Sequence, residues 1–221
     1  MPGMIGRRNT GKGAGMKLYY APGTCALASM IVLEEVGASY EPVRLDFAAG
    51  EQRKAEYLAI NPKGRVPALV TGRGVLTETP AILAYLAQSF PEARLAPLDD
   101  PFAFAAVQAF NSYLCSTVHV AHAHRVRGTR WADDPAAIAE MQRKVPQTVF
   151  DCFSLIEREM LRGPWVMGEA YTICDPYLYT LATWLEGDGV DPARLPRVQE
   201  HRSRMAERAS VRRALDRERT G

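Results

Sequence analysis

Three short stretches and a set of histidines carry side chains able to do chemistry. Cys25 follows Pro22-Gly23-Thr24, at the junction of a short apolar strand and a helical run. A thiol at a helix N-terminus faces unpaired amides and the positive end of the helix dipole, which stabilise a thiolate. No second cysteine follows within Cys25-Ala26-Leu27-Ala28, so a dithiol redox cycle is disfavoured. A small buried core residue would account for the same position equally well. In Asn61-Pro62-Lys63-Gly64-Arg65-Val66-Pro67, a proline opens the strand that follows. A cis peptide there would expose the backbone of Val66 to an extended peptide ligand, and a plain loop-to-strand entry is the simpler reading. Glu78-Thr79-Pro80 puts a carboxylate and a hydroxyl at a helix start. Thr79 with the adjacent amides suits a ligand carboxylate and Glu78 an ammonium, so the pair matches an amino-acid head group. The same triplet standing alone reads as a helix cap.

His119, His122 and His124 lie within one helix. His119 and His122 are spaced to share a face, but no acidic residue is near in sequence to complete a metal site, and none is expected. Cys115, Cys152 and Cys174 are scattered and read as structural thiols of a reduced compartment rather than as a disulfide frame.

The elements that must hold these groups follow from hydrophobic patterning. Met16–Tyr20 reads as a strand, and Ala26, Leu27, Met30, Ile31, Leu33 and Val36 as a helical stripe closed by Gly37. Tyr40–Leu45 reads as a second strand with Pro42 at an edge, and Ala48–Tyr57 as a short helix. Val66–Val70 and Val75–Leu76 flank Thr71-Gly72-Arg73-Gly74 as a hairpin. Thr79 as N-cap and Pro80 at the first helical position open the next helix. The order is β-α-β-α-β-β-α.

Pro91–Pro101 reads as a linker, and everything beyond it as helix. One helix runs from Asp100-Pro101 to about Arg127. A second starts at Asp134-Pro135 with Ile138, Met141, Val145, Val149, Phe153, Ile156 and Met160 in register. Thr172 and Asp175 have the spacing of a capping box before a buried helix carrying Leu178, Leu181 and Trp184. From Arg194 to Arg219 nine arginines stand against four acids, which reads as a solvated helix face.

The bulk numbers set the frame. With 221 residues, 47% hydrophobic and 24% charged, the chain is globular with one or two domains. A net charge of +2 gives no reason to expect nucleic acid as a partner, and no apolar run could span a bilayer. Residues 1–15 are basic and glycine-rich without an apolar core, and read as a disordered leader or an upstream start rather than a secretory signal. A cytoplasmic location follows.

Three segments together, Met16–Ser29 (MKLYYAPGTCALAS), Ala59–Leu69 (AINPKGRVPAL) and Leu76–Ala87 (LTETPAILAYLA), resemble the cytosolic glutathione transferases. The cysteine within PGTC resembles the bacterial Beta class. The resemblance implies an α/β thioredoxin-like N-terminal domain (16–92) joined to an all-α domain (100–221), paired in a homodimer. It implies glutathione as co-substrate, a hydrophobic electrophile as second substrate, and a place in detoxification. It assigns the Val66 backbone to the cysteinyl part of glutathione, Glu78 and Thr79 to the γ-glutamyl part, and Cys25 to the sulfur. Ser112, Ser116 and His119 resemble the polar residues that line the site on the first long helix, and Tyr113, Val120 and Trp131 fall near the second-substrate pocket.

This sequence departs from the family at Val120, where a basic residue is usual, and at Ser112 and Ala26, where asparagine and serine are usual. A lysine expected near Ala48–Gly50, to meet the glycyl carboxylate, is absent. The alternatives are a glutathione-dependent isomerase or disulfide reductase, or a binder of glutathione without catalysis.

Overall fold

The computed structural model describes residues 15–220, so the leader expected at 1–15 lies, apart from Gly15, outside the described residues. The N-terminal part comprises β1 (Met16–Tyr20), α1 (Ala26–Glu35), β2 (Tyr40–Arg44), a 3-10 turn (Glu51–Arg53), α2 (Ala55–Leu58), β3 (Ala68–Thr71), β4 (Gly74–Thr77) and α3 (Thr79–Ser89). The sheet order is β2-β1-β3-β4, with β1 and β2 parallel and the remaining pairs antiparallel. A parallel pair needs a crossover, which α1 supplies. Pro42 pairs with Leu18 from the edge strand β2, where a missing N–H is tolerated. This is the thioredoxin-like arrangement expected, and the hairpin and α3 follow in the expected order.

One expectation about α1 changes. A single apolar stripe was legible, yet every residue from Ala26 to Glu34 is buried. The far side of the helix is covered by α7 (Cys174–Ala182) and α9 (Ala209–Thr220) of the helical part, so α1 has no solvent face. A helix apolar nearly all round belongs in the middle of a protein.

The second part is helical: α4 (Pro101–Tyr113), α5 (His119–Arg127), α6 (Pro135–Leu155), α7 (Cys174–Ala182), α8 (Pro196–Ala206) and α9 (Ala209–Thr220). A π-turn at Leu114–Val118 joins α4 to α5, so the run from Pro101 to Arg127 is continuous as expected. Asp100 caps α4 through Phe102 N and Ala103 N at 2.9 and 3.0 Å, and Asp134 caps α6 through Ala136 N at 2.9 Å. Each oxygen satisfies amides that the first turn leaves free. Val145, Val149, Phe153 and Ile156 form the buried stripe of α6 and its extension.

The Thr172–Asp175 capping box is present and does more than cap. The Asp175 carboxylate, fully buried, accepts from Thr172 N (2.7 Å) and Val166 N (2.8 Å) and meets His201 Nε2 on α8 at 3.0 Å. Cys174 N donates to Thr172 Oγ1 at 3.3 Å. One side chain thus ties α7, α8 and the Val166 loop together.

The arginine-rich C-terminus corrects another expectation. Rather than forming only a solvated face, it pins α9 against α1. Arg208 and Ser210 hold Glu35, while Arg213 and Arg217 hold Glu34 at 2.9 and 2.6 Å. Charges 173 or more residues apart could not be paired by reading along the chain. The main apolar core is accordingly a cluster running from Met16 to Ala214 through both parts, with a second, smaller cluster of Leu45, Tyr57 and Ala68 in the N-terminal part.

Candidate functional site

A cleft of about 590 Å³ opens between the two parts, walled by the loops after β1 and β2, the Asn61–Pro67 loop, the start of α3, and α5 with the turn beyond it. The residues that bring these walls together are local and specific. Gly23 N in the loop before α1 donates to Glu218 of α9 at 3.0 Å, so the C-terminal helix braces the loop that carries Cys25. The Arg65 carbonyl accepts from Tyr57 Oη and Asn61 Nδ2, both at 2.6 Å, which fixes the loop before β3. The Val66–Pro67 bond is cis.

Four of the residues singled out from sequence in the N-terminal part meet on one wall. Cys25, Val66, Glu78 and Thr79 all line the cleft. The Cys25 thiol lies 3.6 Å from the Val66 carbonyl and donates to it. Glu78 is the residue before α3 and sits at φ 69°, a left-handed conformation that a glutamate adopts only under strain. This moves the helix start by one residue: Thr79 is the first residue of α3 rather than its N-cap, and the triplet makes no side-chain capping bond. The cap reading therefore fails, and the side chains of Glu78 and Thr79 are left to the cleft.

Lys63 was not foreseen. Its ammonium is held by the Glu78 carboxylate and donates to Thr77 Oγ1 at 2.6 Å. An ammonium therefore already sits where a ligand's ammonium was expected to bind, which shows that the carboxylate is placed to hold one.

Burial pushes the Cys25 thiol up from its ordinary value, with the Thr79 hydroxyl and the Arg127 guanidinium pulling against it. This reverses the expectation of a stabilised thiolate. Cys25 occupies the N-cap position of α1, but it is buried against the Val66 carbonyl, and desolvation outweighs the helix dipole. Tyr177 of α7 also lines the cleft, its hydroxyl pushed up by burial and by the neighbouring Cys25, Cys115 and Glu78.

On the helical side the expectations divide. His119 lines the cleft, as do Val120 and Trp131. Burial lowers the His119 imidazole to about 4, with His122, Arg127, Arg130 and Arg65 acting in the same sense, so His119 is neutral at physiological pH. Ser112 and Ser116 do not reach the cleft; both are solvent-exposed, and Ser116 lies beside Thr117. The π-turn at Leu114–Val118 puts an extra residue into one turn. Cys115, within this turn, lines the cleft instead. Tyr113 turns aside too, donating to the Cys152 carbonyl at 3.2 Å.

His122 reaches the cleft as well, stacked on Trp184 at 4.1 Å between ring centroids. Its Nδ1 lies 2.8 Å from both oxygens of Asp188, which Arg125 Nε also approaches at 3.1 Å. The acid missing from the local sequence thus arrives from 66 residues away. This pair fixes the ring and leaves its other nitrogen for the cavity.

Among the described residues, Arg53, Lys63, Arg65, Arg127 and Arg130 line the same cleft against the single carboxylate of Glu78. The site has an amino-acid recognition wall, a sulfur-bearing position beside exposed backbone, and a strongly cationic rim. It suits a small acidic peptide bound in extended form.

Comparison with known proteins agrees. The sequence pattern of the glutathione S-transferase N-terminal domain matches residues 14–88. Glutathione S-transferase GstA of Escherichia coli O157:H7 is 32% identical over 207 residues, covering 92% of this chain and 98% of its own. A Sulfitobacter glutathione transferase homologue, solved with bound glutathione, is 47% identical with a TM-score of 0.89, over 91% of this chain and 97% of that one. A bacterial beta class glutathione S-transferase of Sphingomonas chungbukensis is 32% identical with a TM-score of 0.81, over 91% and 98%. The chain belongs to the glutathione S-transferase family, and the proteins it matches over most of its length include bacterial members, a beta class structure among them.

Proposed function

We propose that this protein is a glutathione transferase that binds glutathione along the N-terminal wall of the cleft and directs its sulfur at a hydrophobic electrophile. The observation that carries the reading is the meeting of Glu78, Thr79, Val66 and Cys25 on one wall. Glu78, with Lys63 displaced from it, takes the γ-glutamyl ammonium, and Thr79 with the first amides of α3 takes the γ-glutamyl carboxylate. The Val66 backbone pairs with the cysteinyl unit. In place of the lysine missing near Ala48–Gly50, Arg53 on the 3-10 turn beyond it takes the glycyl carboxylate.

Cys25 then faces the glutathione sulfur. Because burial keeps it protonated, it serves as a donor of a weak S–H hydrogen bond to the glutathione thiolate rather than as the attacking nucleophile. The N-terminus of α1 and the Arg127 guanidinium favour the same negative charge. Neutral His119 and the Trp184–His122 stack form the floor on the helical side, and Val120, Val126 and Trp131 offer apolar surface to the electrophile. Glutathione is a co-substrate consumed in the reaction, whose energetic core is positioning of the two reactants.

A homodimer, a cytoplasmic location and a part in detoxification belong to the same proposal, with a division into residues 16–92 and 100–221. Thiol exchange through Cys25 is a secondary and slow activity, in which its small thiolate fraction attacks the disulfide of a seated oxidised glutathione, forms the mixed disulfide and releases one glutathione thiolate. Calorimetry with glutathione, followed by turnover of a panel of electrophiles, tests the reading. Absence of glutathione binding would overturn it, and binding without any turnover would leave a non-catalytic binder.

A further inference from the structure

The cationic rim has no counterpart within the protein. Among the described residues, Arg53, Arg65, Arg127 and Arg130 make no ion pair and no side-chain hydrogen bond, whereas most other arginines of the chain have an acid or a carbonyl. They come from both parts of the molecule and are brought together by close packing around two glycines. A Cβ at Gly64 would stand 2.9 Å from the Gln52 carbonyl, so the Arg65 loop lies directly on the turn bearing Arg53. A Cβ at Gly128 would stand 2.9 Å from Ile138 of α6, so the Arg127–Arg130 turn is pressed onto the helix behind it. The four guanidinium groups repel one another. Burial, then Arg127, Arg65 and Arg53, push Arg130 below the usual arginine range.

Glutathione does not neutralise this rim. The tripeptide has two carboxylates against one ammonium, and its γ-glutamyl end is bound away from the rim by Glu78 and Thr79. One glycyl carboxylate is left for Arg53 and Arg65 on the N-terminal side. On the helical side Arg130 stays unanswered and Arg127 is left with only its pull on the glutathione thiolate, next to the exposed faces of Val126 and Trp131. An apolar shelf edged by two unpaired guanidinium groups recognises a flat apolar body with an acidic substituent.

We infer that the preferred second substrate is an electrophile bearing a carboxylate or similar anion, held by Arg127 and Arg130 while its apolar part lies on Val126 and Trp131. This rests on the glutathione reading and sharpens it. With a chlorinated aromatic acid, the sulfur bonds to the ring carbon, chloride leaves with its electron pair, and the thiol proton passes to solvent.

The test compares chlorodinitrobenzoate with its neutral amide, which has the same shape and leaving group. Glutathione itself and the glutathione conjugates of both compounds are also titrated by calorimetry. The expected result is kcat/KM at least ~10-fold higher for the acid, after correction for the uncatalysed rates, and a similarly tighter acid conjugate. Both preferences should shrink as salt is raised. Arg127→Gln with Arg130→Gln should reduce the acid-over-amide ratio to near one, and Arg127→Lys with Arg130→Lys should restore much of it. Equal binding of the two conjugates by a protein that binds glutathione would overturn the inference and leave the glutathione reading standing. Failure of glutathione itself to bind would overturn both.

Discussion

Replacing Asp175 by alanine removes one carboxylate and takes a partner from four groups at once. Val166 N, Thr172 N and Thr172 Oγ1 lose their acceptor, and His201 Nε2 loses its partner. The residue is fully buried, so water cannot replace it without opening the core. His201 is equally buried and its Nδ1 already has no partner, so its ring keeps no polar contact. Each stranded buried group costs about 1–3 kcal/mol, and relaxation recovers part of the sum. The total should be ~3–5 kcal/mol, a large share of the roughly 5–15 kcal/mol that stabilises a typical domain.

For a chain of this length that corresponds to a melting temperature lowered by roughly 10 °C. Asp175→Asn keeps the shape but aims an amide N–H at one of the existing donors, so its cost should be only slightly smaller. Thr172→Ala removes a single hydroxyl and should cost ~1 kcal/mol. Urea unfolding of the three variants measures this, with glutathione calorimetry on the same preparations. Neither residue lines the cleft, so affinity in the folded molecules should match the parent. A loss below ~1 kcal/mol for Asp175→Ala would refute the reasoning, because it would mean that the stranded donors find partners the fold does not offer.

Glu78→Gln and Thr79→Ala should each weaken glutathione by roughly tenfold or more, as expected for a lost charge-assisted hydrogen bond, and unchanged calorimetric affinity in both would remove them from the site. Cys25, pushed up by burial, should react with iodoacetamide at neutral pH more slowly than a free thiol, and Cys25→Ala should abolish mixed-disulfide formation while conserving part of the conjugation. Rapid labelling at pH 7 would contradict the assignment. The His119 imidazole, lowered to about 4 by burial, binds a proton in the unfolded chain before it does so in the folded one. Its effect is nil above about pH 6.5 and costs stability as pH falls toward 4, by up to ~3 kcal/mol, so His119→Gln should lose less stability than the parent across that window. Parallel pH profiles for the two proteins would count against it.

What local sequence determined is what local physics controls. Strand and helix order, the hairpin, the Asp100 and Asp134 caps, the Thr172–Asp175 box and the edge position of Pro42 each depend on residues a few places apart. They were legible for that reason. The meeting of Cys25, Val66, Glu78 and Thr79 on one wall of the cleft, the wall proposed to hold glutathione, was legible too, since they lie in short motifs at element ends, where backbone groups are free to meet a ligand.

Tertiary structure decided the rest, because those features depend on what arrives from elsewhere in the chain. The ionisation of Cys25 was misjudged because a helix N-terminus is visible in sequence while burial against the Val66 carbonyl is not. That Ser112 and Ser116 face solvent while Cys115 lines the cleft was not legible, because the π-turn at Leu114–Val118 leaves no compositional trace. Asp188 could not be linked to His122, nor Arg213 and Arg217 to Glu34, nor Arg127 and Arg130 to Arg53 and Arg65, until the helical part folded back over α1. A charge's place in the chain is set by sequence, but its partner and its dielectric surroundings are set by packing, and these decide its chemistry.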